Sequence, residues 1–130
     1  MNETHSQLAD LIGLIKSDGE INDQELDFLF KVAQQMGVSR EDLDKLFKSK
    51  TDFTPPKNEF ERIVQFYRLV LLMNVDNDKN VQELNYVRNL AIRMGLNPIS
   101  TNKILELMDN YPDKKVPVDV LISVFQQNHN

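Results

Sequence analysis

The sequence predicts an all-α bundle of about seven helices joined by short connections. Three observations carry that prediction. Apolar residues recur at helical spacing almost throughout the 130 residues. No segment shows the period-two alternation and β-branched enrichment of a strand. Two stretches of the chain also repeat each other at a fixed offset of 58 residues.

The elements follow in order. Leu8, Leu11, Ile12 and Ile15 follow the i, i+3, i+4, i+7 pattern and mark the buried face of a first helix. Leu26, Leu29, Val32, Ala33 and Met36 mark a second, and Gly37 falls where a helix C-terminal glycine belongs. Ser39 offers a cap for a short third helix carrying Leu43, Leu46 and Phe47. Residues 48–56 form the main break, stiffened by Pro55-Pro56. A longer fourth helix opens near Asn58 and runs through Met73. It turns apolar nearly all round at Leu69-Val70-Leu71-Leu72, the pattern of the central, most buried helix. Leu84, Val87, Leu90, Ala91 and Met94 mark a fifth, closed by Gly95, and Ile104, Leu105, Leu107 and Met108 a sixth. Pro112 and Pro117 bracket a second break. Pro117 suits the first turn of a last helix with Val118, Leu121, Ile122 and Phe125.

Residues 11–38 align with residues 69–96 without a gap. The identities are Leu11/Leu69, Leu14/Leu72, Asp18/Asp76, Asn22/Asn80, Gln24/Gln82, Glu25/Glu83, Leu26/Leu84, Ala33/Ala91, Met36/Met94 and Gly37/Gly95. Chance would supply about two such matches. Two similar helix–loop–helix units are therefore expected to pack as a pseudo-twofold bundle, since two copies are too few for a solenoid. The whole chain, 1–130, reads as one domain: a first repeat over about 8–48, a second over about 58–109, and a C-terminal helix over about 117–127.

Composition narrows the function. The net charge of −5 and pI near 5.0 argue against nucleic acid as a partner. The absence of Cys excludes a disulfide framework, a thiolate metal site and a cysteine nucleophile. The only histidines, His5 and His129, lie near opposite ends of the sequence, which disfavours a His-centred site. No secretory signal is visible at the start, and the longest apolar run, Leu69–Met73, falls far short of the ~20 residues that span a bilayer. A cytoplasmic protein that does not itself span a membrane is expected. Nothing reads as catalytic: the glycines are scattered singly, and His5, Ser6 and Asp10 are near neighbours without the arrangement of nucleophile, base and orienter. Acidic pairs such as Glu41 and Asp44 read as a solvated helix face. Phe28 and Tyr86, matched by the repeat, read as core, with an exposed anchor for a partner as the alternative. Met36, Met73, Met94 and Met108 read as core filler.

The repeat points to its acidic loops, Ser17–Glu25 and Val75–Glu83. Two readings stand. Asn22 with Glu25, and Asn80 with Glu83, have the spacing of a capping box, in which each side chain serves a backbone N–H of the helix start. Alternatively Asp18, Glu25, Asp76 and Glu83 supply oxygen ligands to a hard divalent cation such as Ca²⁺, Mg²⁺ or Mn²⁺, with Glu20 and Asp78 adding acidic character. A true EF-hand is disfavoured. Gly19 and Glu25 fit its sixth and twelfth places, but Leu14 and Lys16 occupy ligand places in the first copy, and Leu72 and Asn74 do so in the second.

The run Asp18-Gly19-Glu20-Ile21-Asn22-Asp23-Gln24-Glu25-Leu26, with its weaker partner Asp76 to Leu84 and helices ending in Met-Gly, resembles the tellurite-resistance TerB-like family. The likeness covers roughly Leu8 to Met108. It implies an all-α, pseudo-symmetric bundle and a divalent-metal site of acidic residues. It also implies a protein partner in a stress-response or membrane-associated complex. Carried onto this chain, the metal ligands would be Asp18, Glu25, Asp76 and Glu83. The second copy departs from the pattern, with Asn77 in place of Gly and Lys79 in place of Ile. The expected function is thus a non-enzymatic adaptor that binds a divalent cation. The alternative is an interaction scaffold in which the same acidic residues only cap helices.

Overall fold

The computed structural model describes residues 3–17, 19, 21–48, 53–75 and 81–127. Among the described residues there are seven α-helices and no strand: α1 (Glu3–Lys16), α2 (Asp23–Gln35), α3 (Arg40–Lys48), α4 (Glu59–Met73), α5 (Val81–Arg93), α6 (Pro98–Leu107) and α7 (Val118–Gln127). Two 3₁₀ turns, Met108–Asn110 and Pro112–Lys114, join α6 to α7. The chain is all-α, as its periodicity predicts.

Local chemistry sets the helix boundaries. Asn58 Oδ1 accepts from Glu61 N at 3.1 Å and opens α4. Asn97 Oδ1 accepts from Ile99 N and Ser100 N at 2.9 and 3.1 Å, and Pro98 then takes the first position of α6, where its missing N–H costs nothing. The glycines after α2 and α5 act as expected. Gly37 and Gly95 have φ of +75° and +88°, a region closed to most side chains. Each turn closes with the same pair of bonds. Gly37 N and Val38 N donate to Gln34 O and Ala33 O, while Gly95 N and Leu96 N donate to Ile92 O and Ala91 O.

The core is continuous, and α1 lies at its centre. Leu8, Leu11, Leu14 and Ile15 are fully buried, and the helix packs against α2, α3, α4 and α5. Sequence reasoning placed the centre at α4 alone. That helix is indeed deep, with Phe66, Leu69 and Leu72 fully buried against α1, α2 and α5, but it shares the centre with α1. Leu14 widens the apolar face of α1 beyond the four residues that define its periodicity. α6 packs on α5, and α7 on α6. Phe125 of α7 reaches Phe66 of α4 edge-on, with ring centres 5.8 Å apart. Tyr67 Oη donates to Val116 O at 2.9 Å and fixes the chain leading into α7. The break read at Pro112 is a wound turn, in which Asp113 and Lys114 hold φ of +55° and +57°.

Candidate functional site

Of the four acidic residues singled out by the repeat, Glu25 and Glu83 are described. Asp18 and Asp76 lie outside the described residues, as do Glu20, Asn77, Asp78, Lys79 and Asn80. Glu25 is the third residue of α2 and closes a capping box: its backbone N donates to Asn22 Oδ1 at 2.9 Å, and Asn22 N donates to Glu25 Oε1 at 3.4 Å. Glu83 is the third residue of α5. Both are sunk to 2 % exposure. Among the described residues no group of three or more His, Cys, Asp or Glu comes together in a way that could hold a metal ion.

A second constellation was not singled out by sequence reasoning. Ser6, Ala9, Asp10, Gly13 and Lys16 fall on one face of α1 and line a cleft of about 330 Å³. Tyr86, Leu90 and Arg93 of α5, Leu46 of α3 and Phe53 complete its walls. Asp10 is 8 % exposed. Its carboxyl receives a long 3.4 Å bond from Gln65 Nε2, whose stronger bond, 2.9 Å, goes to Gln7 O. Gln65 is itself fully buried, and its Oε1 accepts from Arg68 at 3.3 Å. Burial pushes Asp10 up to about 7, against the smaller opposing pulls of the Gln65 bond and the Arg93 charge.

Tyr86 is held by its own geometry. Its hydroxyl donates to Asp10 O at 3.1 Å and lies directly over Gly13. A Cβ at Gly13 would collide with Tyr86 Oη and come within 2.8 Å of Cζ, so the glycine is what lets α1 and α5 approach here. Burial, with the Asp10 charge adding to it and Arg93 opposing, pushes the Tyr86 phenol up to about 12, so it stays protonated. At the rim Arg93 stacks over Phe53 at 4.4 Å. Lys16 donates to Phe47 O at 2.7 Å and sits 5.6 Å from the Phe47 ring centre. Ser6 Oγ accepts from Thr54 N at 2.8 Å and ties the 53–56 segment to α1. The sequence did hold a signal. Asp10 lies four residues before the buried Leu14, on the border of the apolar face, and small residues stand at its neighbours Ser6, Ala9 and Gly13.

A further groove of about 440 Å³ lies between α2, α4 and the 3₁₀ turn and is lined by Phe28, Tyr67, Leu71, Asn74, Val75, Asp113 and Lys115. Phe28 and Tyr86, both read as core with an anchor alternative, are half-buried and line two different cavities.

No protein-family model, curated protein or solved structure matches the chain. No helix of the described residues is long and apolar enough to cross a membrane.

Proposed function

We propose that the chain is a TerB-like adaptor domain without enzymatic activity. It acts through a protein partner in a stress-response or membrane-associated complex, and its acidic loop residues serve helix starts. The observation that carries the assignment of the acidic residues is the closed capping box at Asn22 and Glu25. The equivalent Glu83 stands at the same third position of its own helix. The pseudo-twofold arrangement is supported by the bond from Gln65 to Gln7 O, since these two glutamines are separated by the offset of the repeat itself. The groove beside Phe28, Tyr67 and Leu71, rimmed by Asp113 and Lys115, offers a partner an apolar floor with a polar edge.

A divalent cation held by Asp18, Glu25, Asp76 and Glu83 is the second reading. It is favoured by the equal and deep burial of Glu25 and Glu83 at matching places, because buried carboxylates draw positive charge. Thermal unfolding of two variants separates the readings. A glutamine can still accept the Asn22 N–H, so capping predicts that Glu25→Gln is nearly neutral, that Glu25→Ala loses about 1–2 kcal/mol, and that millimolar metal changes neither. Cation binding predicts a metal-dependent rise in the wild-type Tm that Glu25→Gln abolishes.

A further inference from the structure

Asp10 and Arg93 line the same cleft, and the guanidinium acts on the carboxyl through space, yet no ion pair joins them. Opposite charges that share a cleft without meeting are complementary to a ligand that carries the two partner charges. The inner end of the cleft is rich in acceptors. The nearly buried Asp10 carboxyl has Gln65 as its one hydrogen-bond donor among the described residues, at the weak limit of 3.4 Å. Tyr86 Oη uses its proton on Asp10 O and keeps its lone pairs, and Ser6 Oγ has one lone pair engaged by Thr54 N. Oxygens of this kind accept the N–H bonds of an ammonium. The outer end offers Arg93, held in place over Phe53. Leu46 and Leu90 also line the cleft and offer apolar surface to a side chain. A volume of about 330 Å³ is at the small end for ligand pockets.

We propose that the cleft between α1 and α5 binds a small zwitterion, an amino acid with an apolar side chain, with its ammonium on Asp10 and its carboxylate on Arg93. This site is independent of the acidic loops and of the adaptor assignment.

The test is titration of ¹⁵N-labelled protein at pH 8 with three probes: leucine, 4-methylpentanoate, which lacks the amine, and 3-methylbutylamine, which lacks the carboxylate. Leucine is expected to give saturable amide shifts at Asp10, Gly13, Tyr86 and Leu90. Each one-charged probe is expected to bind at least about tenfold more weakly, the worth of one charge-assisted hydrogen bond. Asp10→Asn, which keeps the shape of the side chain, is expected to lose leucine binding by a similar factor while leaving 4-methylpentanoate unchanged. Arg93→Gln is expected to do the reverse, weakening leucine and leaving 3-methylbutylamine unchanged. At pH 6 leucine is expected to bind more weakly, because Asp10 then holds a proton. The charged and titratable groups around it are Tyr86 and Arg93 on α5, Lys16 on α1, and Arg68 on α4 acting through Gln65. Shifts that fail to saturate, 4-methylpentanoate binding as tightly as leucine, or an Asp10→Asn variant that binds leucine like the wild type would each overturn the proposal.

Discussion

Asp10 is a carboxyl that the fold prefers protonated. Its value is raised from 3.8 to about 7, first by burial, so the native state holds a proton that the unfolded chain has already released between those two pH values. Stability therefore falls as pH rises from about 4 to about 7 and levels off above, where both states are ionised. Asp10→Asn removes the charge and keeps an acceptor for Gln65. It is expected to raise stability by about 1–3 kcal/mol at pH 8, with the gain vanishing toward pH 4, as chemical denaturation at both pH values will show. A second residue-scale outcome concerns Gly13. Alanine is the better helix former by about 1 kcal/mol, but its Cβ would displace Tyr86 from Asp10 O. Gly13→Ala is thus expected to be net destabilising by about 1–3 kcal/mol in urea unfolding. Both residues were hard to read from sequence. Asp10 read as a near neighbour of His5 and Ser6 with no catalytic arrangement, and Gly13 as a scattered glycine. Their roles depend on α5 laying Tyr86 across α1, a contact 76 residues apart in the chain.

At the scale of the element, sequence and structure agree more closely, because the determinants are local. Gly37 and Gly95 were legible as helix ends, since only a residue free to adopt positive φ lets the next amides turn back onto Ala33 O and Ala91 O. Gly37→Ala and Gly95→Ala are expected to cost similar amounts, about 1–2 kcal/mol each in thermal unfolding. A Cβ would meet nothing at Gly37 and only an ordinary 3.7 Å contact with Arg62 at Gly95, which leaves backbone strain as the cause. The Asn22–Glu25 box was likewise visible as a spacing of three residues. The wound turn at Asp113 and Lys114 was not, because proline spacing marks where a helix stops but not the path of the chain beyond it. The central place of α1 was also missed. Its apolar stripe is no longer than its neighbours', and only packing against four other helices reveals that it is enclosed.

At the scale of the whole molecule, one core takes in α1, α4 and α7, and the edge-on pair of Phe66 and Phe125 joins α4 to α7. Phe66 is fully buried, so Phe66→Ala is expected to cost about 3–5 kcal/mol, a large share of the 5–15 kcal/mol typical of a domain. One cooperative transition, seen alike by helical signal and aromatic environment, is expected in both proteins. The all-α class was legible because it follows from periodicity summed over the chain. The cleft was not, because it is a product of helix crossings that no local pattern encodes. The central functional claim is that Glu25, the one acidic loop residue whose capping bonds are described, serves a helix start and not a cation. Calorimetric titration of chelator-treated protein with Ca²⁺, Mg²⁺ and Mn²⁺, beside an Asp18→Asn/Asp76→Asn double variant, tests it most directly. The account predicts no saturable heat at millimolar metal in either protein. Saturable heat in the wild type that disappears in the double variant would contradict it and establish the acidic loops as a cation site.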